Sequence, residues 1–544
     1  MTKFTRLVMT GVHEHSGCKP IAWGWHALCS NRTYSSIAGS ERFASNCKLH
    51  PAYGLVIEAC CYNAALMRLE ENRKVFVTHY QGPAASPHRL KAMLATIIAL
   101  AIGQVALKAQ AADTHEYKLD NGLRVIVQED HRAPVVVSQV WYRAGSIDEV
   151  NGKTGVAHVL EHMMFKGTKQ IKPGQFSRLI AAAGGRENAF TGTDYTAYYQ
   201  QLEKSQLPLS FKLEADRMAN LELTKEEFSK EIRVVMEERR WRTDDKPQGM
   251  LNEQFNAIAF QAHPYGRPIV GWMNDLENMS FEDAREWYHH WYTPSNAILV
   301  VAGDVKGDEV YKLAKQYFGP IKPHALPARK PQLEPQQIGE RRTVVKVPAE
   351  LPSILMGFHV PVLQDADKDW EPYALEILAG VLDGNASARL NQNLVRQQQL
   401  AVDVGASYDM IQRGQVGLFE LEGTPSEGKT VAELEAALLE QVERIKQDGV
   451  TEEELQRVKA QVIAADVYQR DSVFYQAMRI GRLETTGFSW RTLDSYPAKL
   501  SAVTPQQVQE VARKYLIKDT LSVATLDPQP IDPNAKPKGK PHEH

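Results

Sequence analysis

The chain has 544 residues, with 63 lysines and arginines against 66 aspartates and glutamates, which gives a formal net charge of −3. This balance offers no support for a protein that binds nucleic acid or an anionic membrane surface. A hydrophobic content of 43% is ordinary for a globular protein and allows large cores. The length predicts several domains.

The first part of the chain differs from the rest. It contains all five cysteines, has poor hydrophobic periodicity and shows no Cys-x-x-Cys pair that would indicate a metal site. The cysteines are Cys18, Cys29, Cys47, Cys60 and Cys61. We predict that residues 1–92 are an atypical N-terminal extension that is absent from the mature protein.

An export signal is predicted at residues 93–111. Arg89 and Lys91 precede an apolar run, and Ala109-Gln110-Ala111 matches a small-x-small cleavage pattern. A start at Met93 would lose both basic residues, so the initiator stays open. The run is too short to span a bilayer comfortably, and no membrane span is expected in the mature form. We therefore expect an exported protein, periplasmic in a bacterium.

The mature chain is predicted to open with strands. Residues 116–119 and 123–127 flank Asp120-Asn121-Gly122, a turn sequence typical of β-hairpins. A longer strand is predicted at 134–142, directly before the segment with the most distinctive pattern.

That segment contains His158, Glu161 and His162 in the order His-x-x-Glu-His. On a helix these three side chains share one face. Two imidazoles one turn apart can bind a zinc ion, and a carboxylate beside them can accept a proton from water. The spacing is the inverted form of a common zinc motif. The alternative is an amphipathic helix with a polar stripe, which the apolar flanking residues disfavour.

A third ligand is expected from elsewhere, because a catalytic zinc usually has three protein ligands. Residues 225–240 form a strong candidate helix, with Thr224 as N-cap. Glu231 and Glu238 lie two turns apart on one face, whereas Glu237 points elsewhere. The alternative is a solvated acidic face.

The His-x-x-Glu-His motif followed by a helical glutamate resembles the pitrilysin/insulinase family of zinc peptidases. The resemblance implies Glu238 as the third ligand and Glu231 as a catalytic auxiliary, with Glu237 as the alternative ligand if the register shifts by one. Residues 187–191 resemble the family's edge strand that pairs with the substrate backbone. This implies substrate binding by Asn188 and Ala189, since exposed edges accept extended peptides.

The second half is predicted to repeat the first. A strand at 297–303 closes a domain spanning 112–322, and a proline-rich linker follows at 323–340. New strands begin at 343, and the helix–strand pair at the end of the first domain recurs at the end of the second, which spans 341–528. Residues 529–544 are expected to be a disordered tail.

The expected fold is therefore α+β. The resemblance implies two homologous α+β domains, each a mixed or antiparallel sheet flanked by helices, that close like a clam around the substrate. The second domain lacks the zinc motif and has only Glu376 near the matching helix, so one zinc per chain is expected.

The predicted function is that of a zinc metalloendopeptidase acting on peptides or unfolded segments, with Glu161 as general base. A non-catalytic binding or assembly subunit is the main alternative. A zinc hydrolase acting on another substrate class is the second.

The resemblance also implies an arginine and a tyrosine in the second domain that reach the substrate. Aligned on Arg389-Leu390 and Leu400-Ala401, these positions hold Val395 and Val402. Arg396 is one residue out of register, and its seventh residue onward is Asp403. We therefore predict a heterodimer with a paralogous zinc-less subunit that supplies the Arg/Tyr pair.

Overall fold

The structure is a computed structural model and describes residues 113–531. The predicted extension (1–92), the predicted signal peptide (93–111) and the tail beyond residue 531 lie outside the described residues. Among the residues that are described, no helix is both long enough and apolar enough to cross a membrane.

Strands and helices alternate in two sets. The strands are β1 (Thr114–Lys118), β2 (Arg124–Glu129), β3 (Val135–Tyr142), β4 (Arg186–Thr191), β5 (Thr196–Glu203), β6 (Ala297–Gly303), β7 (Arg341–Pro348), β8 (Ser353–Pro361), β9 (Ala401–Tyr408), β10 (Val416–Pro425) and β11 (Leu521–Gln529). The helices of the first set are α1 (Val156–Met163), α2 (Gln175–Ala182), α3 (Leu207–Asn220), α4 (Lys225–Arg239), α5 (Pro247–Ala259), α6 (Met273–Asn278), α7 (Phe281–Trp291) and α8 (Gly307–Tyr317). Those of the second are α9 (Glu371–Asp383), α10 (Val431–Asp448), α11 (Glu452–Gln469), α12 (Val473–Thr486), α13 (Thr492–Ala502) and α14 (Pro505–Tyr515).

Two mixed sheets with the same plan form the framework. The first has the order β1-β2-β6-β3-β5-β4 and the second β7-β11-β8-β10-β9. In the first sheet β2 and β6 are parallel, in the second β7 and β11 are, and the other neighbours are antiparallel. Strand β1 makes the first sheet one strand larger than the second, and it forms the predicted hairpin with β2. The shared order and direction confirm the prediction of two homologous α+β halves.

The central strand β6 shows why the sheets are covered on both faces. Every residue from Ala297 to Gly303 is buried. Leu299 and Val301 pack into the large helix-covered core of the first half. Ile298 and Val300 face the opposite side of the sheet, in a separate cluster. A continuous apolar strand of this kind is stable only when neither face is solvated.

The opposite face of each sheet is covered by a helix from the other half. Helix α5 packs on β7 and β11 of the second sheet, and α12 packs on β3 and β6 of the first. Two glycines allow this close approach. A Cβ at Gly357 would lie 2.6 Å from the ring of Phe255 on α5, and one at Gly481 on α12 would lie 2.1 Å from Trp141. The two halves therefore share their cores by exchanging helices.

The predicted linker contains no helix or strand, as its prolines indicate, and several of its side chains bind the domains. Glu334 accepts hydrogen bonds from the backbone N–H groups of Gln261, Ala262 and His263. Arg329 binds Asp148, close to the start of α1. The segment is thus held against the first half at several points.

Candidate metal centre

Helix α1, which carries the His-x-x-Glu-His motif, is anchored at its first turn. The buried carboxylate of Glu149 accepts hydrogen bonds from the N–H groups of Gly155 and Ala157, both at 2.9 Å. Such bonds satisfy amides that have no partner within the helix. Burial raises the pKa of Glu149 to about 8, although these two hydrogen bonds act in the opposite direction. Apolar residues on both sides of the motif pack into the core and fix the helix in place.

The neighbouring helix α4 brings a glutamate against the two histidines. Oε2 of Glu238 lies 3.2 Å from Nε2 of His162 and 3.7 Å from Nε2 of His158. One potential ligand atom from each of these residues lies within 4.8 Å of the other two. The two imidazole rings are 4.7 Å apart and inclined by 77°. The three side chains therefore converge on one point from two helices.

The environment of His158 fits a metal ion at that point. The residue is 7% exposed, and its Nδ1 atom has no hydrogen-bond partner among the described residues. Nε2 faces the carboxylate of Glu238 beyond hydrogen-bonding distance. A buried imidazole without hydrogen bonds is costly, and a metal bound to Nε2 would remove part of that cost. Two imidazole nitrogens and one carboxylate oxygen form a donor set that suits zinc.

Charge at the cluster follows from burial and close contacts. Burial lowers the pKa of His158 to about 3, which leaves a neutral imidazole. Burial opposes ionisation of Glu238, but the hydrogen bond to His162 and nearby positive charges lower its pKa to about 2. For His162, burial is outweighed by hydrogen bonds to Glu231 and Glu238, and its pKa rises to about 9. The position between these groups thus attracts a proton or another cation.

Glu231 orients His162 from the side away from Glu238. Its Oε1 lies 3.0 Å from Nδ1 of His162, and Oε2 accepts a hydrogen bond from Lys166 at 2.6 Å. Burial alone would raise the pKa of Glu231, but these two contacts lower it, so the carboxylate stays charged. A charged acceptor at Nδ1 directs Nε2 toward the cluster, as carboxylates do behind metal-bound histidines.

Glu161 lies beside the cluster and makes a different set of contacts. It is 9% exposed, and Thr191 donates a hydrogen bond of 2.5 Å to its Oε2. Burial raises the pKa of Glu161, and the bond from Thr191 partly opposes that rise. A carboxyl with a raised pKa is better able to accept and release a proton near neutral pH.

Thr191 is the last residue of β4, the outer strand of the first sheet. Asn188 and Ala189 lie on this strand, opposite Tyr199 and Tyr198 of β5. The N–H of Ala189 donates to the side-chain oxygen of Asn188 at 2.8 Å. No strand in the described part of the chain pairs with the other side of β4. The open edge of the sheet therefore ends at Glu161.

The structure separates the two adjacent glutamates of α4. Glu237 is 52% exposed and pairs with Arg240 at 3.0 Å. Glu238 faces the histidines and also binds Arg242 at 2.8 Å. The register that places Glu238 inward is the one the family resemblance implies.

Several contacts of the site were not identified from the sequence. Arg242 follows Glu238 by four residues, a spacing that does indicate contact on a helix. Lys166 follows His162 by four, but lies beyond the end of α1. Thr191 and Glu149 reach the site only through the tertiary fold, and no local pattern marks them.

The second half places valines where the resemblance implies an arginine and a tyrosine. Val395 lies in the π-helical turn Asn391–Gln397 and packs against the core of its own half. Val402, on the outer strand β9, is 56% exposed. The side chain of Arg389 is held within the second half, where it donates two hydrogen bonds of 2.8 Å to Glu454. Neither valine can donate a hydrogen bond.

Comparison with known proteins agrees with this architecture. The family model for insulinase (peptidase family M16) matches residues 124–272, and the model for the peptidase M16 inactive domain matches residues 278–462. The zinc protease PqqE of Helicobacter pylori is 34% identical over 373 residues, which cover 67% of this chain and 82% of that protein. The chain belongs to the insulinase (M16) family of peptidases, as the sequence motif predicted.

Solved structures show the same fold. The crystal structure of a protease from Helicobacter pylori is 30% identical, with a TM-score of 0.73, and the match covers 77% of this chain and all of that one. The periplasmic protease PqqL from Escherichia coli is 18% identical, with a TM-score of 0.66, and covers 78% of this chain and 49% of that protein. Relatives called zinc proteases and the His-His-Glu cluster both support a zinc-peptidase type of protein.

Proposed function

We propose that the protein is a zinc metalloendopeptidase that hydrolyses peptides or unfolded protein segments. The observation that carries the proposal is the convergence of His158, His162 and Glu238 beside the buried Glu161. Each of these residues has the chemistry that its role requires. The named relative is a zinc protease, and the chain matches most of its length.

The three converging residues would hold one zinc ion per chain. When bound, zinc supplies a Lewis acid that activates water and polarises a carbonyl group. Glu231 keeps His162 in the orientation needed for binding, because it holds Nδ1 and so directs Nε2 toward Glu238 and His158. Lys166 in turn holds the second oxygen of Glu231.

Glu161 would act as the proton carrier of the reaction. Its carboxylate accepts a proton from the attacking water and then delivers it to the nitrogen of the leaving amine. Thr191 keeps one carboxylate oxygen in place during both transfers. Burial keeps bulk water away from the group and makes protonation easier.

The edge of β4 would bind the substrate as an added strand. Backbone groups of Asn188 and Ala189 lie on this edge, and the strand ends at the residue that contacts Glu161. Pairing of an extended peptide with an open edge uses main-chain hydrogen bonds and tolerates many side chains. Peptides and unfolded segments present an extended backbone without first breaking other structure, so they are the expected substrates.

A partner subunit is part of the proposal. Val395 and Val402 leave the second half without the donor pair that the family resemblance implies. Losing donors to a developing oxyanion typically lowers the rate by orders of magnitude. We therefore propose a heterodimer with a paralogous zinc-less subunit that supplies an arginine and a tyrosine.

Export is proposed from residues 93–111, whose apolar run and cleavage pattern, together with the basic residues Arg89 and Lys91 that precede them, have the form of a secretory signal. In a bacterium the mature protein would act in the periplasm. Recovery of the full-length chain from the cytoplasm would contradict this assignment, as would a mature N-terminus far from Ala112.

The deciding experiment measures cleavage of an unstructured peptide by the purified protein, alone and with its paralogue, before and after a chelator. We expect weak or no turnover alone, strong turnover with the paralogue, and loss of activity on chelation. Glu161→Gln should keep one zinc per chain and lower kcat by about 10²- to 10⁴-fold. A non-catalytic subunit would bind zinc and show no chelator-sensitive turnover in either preparation. Full activity alone, unchanged by the paralogue, would remove the heterodimer from the proposal.

A further inference from the structure

The two oxygens of Glu238 make separate contacts. Oε2 faces the imidazoles of His158 and His162, whereas Oε1 forms an ion pair with the guanidinium of Arg242 at 2.8 Å. The guanidinium and the two histidines therefore approach the carboxylate from different sides. Only one oxygen is directed to the point where the three side chains converge.

Arg242 belongs to a turn of unusual geometry that the fold holds firmly. Helix α4 ends at Arg239, and Arg240–Asp244 continue with π-helical hydrogen bonding. The buried Arg239 side chain binds both carboxylate oxygens of Glu253, at 2.7 and 3.0 Å, and the carbonyl of Gly271 at 2.7 Å. Short π-helical segments inside helices are frequent at functional sites. Here the segment places the guanidinium of Arg242 beside Oε1 of Glu238, the oxygen that faces away from the histidines.

The positive charge of Arg242 also acts on the whole cluster. It lowers the pKa of His158 and of Glu161, as well as that of Glu238. The guanidinium is thus close enough to influence each of these groups, although its side chain is largely exposed. Arg242 is 62% exposed and Glu238 is 14% exposed, so the ion pair joins the protein surface to the largely buried cluster.

We propose that Arg242 is a positioning residue that restricts Glu238 to one-oxygen coordination of the metal. The inference rests on the proposed function. Carboxylates bind metals through one oxygen or through both, and a guanidinium paired with Oε1 at 2.8 Å favours the first mode, because it competes with the metal for that oxygen. A second oxygen from Glu238 would take the coordination position that water needs in a catalytic zinc site. Arg242 would thereby preserve the open position.

The test substitutes cobalt for zinc in the purified protein and records the visible absorption spectrum, which reports the coordination number of the ion. Arg242→Gln removes the positive charge that is paired with Oε1. Its matched control is Arg240→Gln, because Arg240 makes the same kind of pair with the exposed Glu237 from the same turn. Arg242→Lys keeps a cation that can reach a single oxygen.

We expect Arg242→Gln to keep one metal per chain and an unchanged melting temperature, but to show a cobalt spectrum of higher coordination. In the active preparation kcat should fall by about 10- to 100-fold, with little change in KM. Arg240→Gln should match the wild type in every readout, and Arg242→Lys should restore the wild-type spectrum.

Three results would overturn the inference. One is an Arg242→Gln spectrum identical to that of the wild type, and another is the same spectral change in Arg240→Gln. The third is loss of the metal from Arg242→Gln, which would make Arg242 a requirement for binding. If the wild type itself bound neither zinc nor cobalt, the proposed function would fail together with this inference. If the wild type binds metal and Arg242→Gln gives the same cobalt spectrum as the wild type, only the role of Arg242 is rejected, and the proposed function stands.

Discussion

Glu376 lies on the helix of the second half that corresponds to the zinc-motif helix of the first half. It lies on α9, which follows β8 as α1 follows β3. Tyr496 donates a hydrogen bond of 2.5 Å to its Oε1, and Oε2 is buried with no partner in the part of the chain described. Burial raises the pKa of Glu376 to about 7, the charges of Asp409 and Asp466 raise it further, and Tyr496 and Arg482 oppose the rise.

The raised pKa of Glu376 predicts how the folding stability of the protein depends on pH. A carboxyl whose folded-state pKa is raised binds its proton more tightly in the folded state, so its stabilising effect is present below the unfolded pKa and is lost as the pH rises through the folded value. For Glu376 the rise from 4.5 to about 7 corresponds to about 3 kcal/mol, at 1.36 kcal/mol per pKa unit. Wild-type stability should lose that amount between about pH 4.5 and pH 7.

Glu376→Gln replaces the acid with a side chain that stays neutral throughout. Relative to the wild type, the variant should gain about 3 kcal/mol between pH 4.5 and pH 8. With an unfolding entropy near 2.1 cal/mol/K per residue over roughly 420 residues, this is a relative rise in Tm of about 3 °C. Thermal unfolding followed by circular dichroism at the two pH values measures it.

The matched control is Glu440→Gln, at an exposed helical position where the carboxylate pairs with Arg444. Its difference from the wild type should be nearly the same at both pH values. The reasoning about Glu376 would be refuted by a Tm difference between Glu376→Gln and the wild type that does not change with pH. A relative loss of stability at pH 8 would refute it as well.

Three further predictions, which use four substitutions, test the site and its support. Glu238→Gln should lower the zinc content measured by metal analysis, and Glu237→Gln should leave it at one per chain; the reverse result would shift the ligand by one residue. Ala189→Pro removes an N–H from the open edge of β4, so KM should rise by about 2- to 12-fold, as for one lost hydrogen bond, with the melting curve unchanged. Arg239→Ala leaves the largely buried Glu253 unpaired and should destabilise the protein by about 3 to 5 kcal/mol in chemical denaturation; a loss below 1 kcal/mol would contradict the role given to this pair.

The local pattern of the chain was sufficient for the features that depend on near neighbours. The helical period alone places His158, Glu161 and His162 on one face, and the structure has them on one face of α1. The turn sequence Asp120-Asn121-Gly122 between two candidate strands predicted the hairpin of β1 and β2. Thr224 caps α4 as expected, with its side chain accepting from the N–H of Glu227. Each of these depends on interactions within a few residues.

The tertiary structure decided everything that depends on how one helix is rotated and placed against another. Glu237 and Glu238 have identical side chains, and the packing of α4 on α1 decides that Glu238 is the one that faces the histidines. The contact of Thr191 with Glu161 joins residues 30 apart through the sheet edge. The exchange of α5 and α12 between the halves has no local pattern at all, because it depends on the shape of two sheet faces formed far apart in the chain. Sequence therefore determined the chemistry available on each element, and the fold determined which of those groups meet.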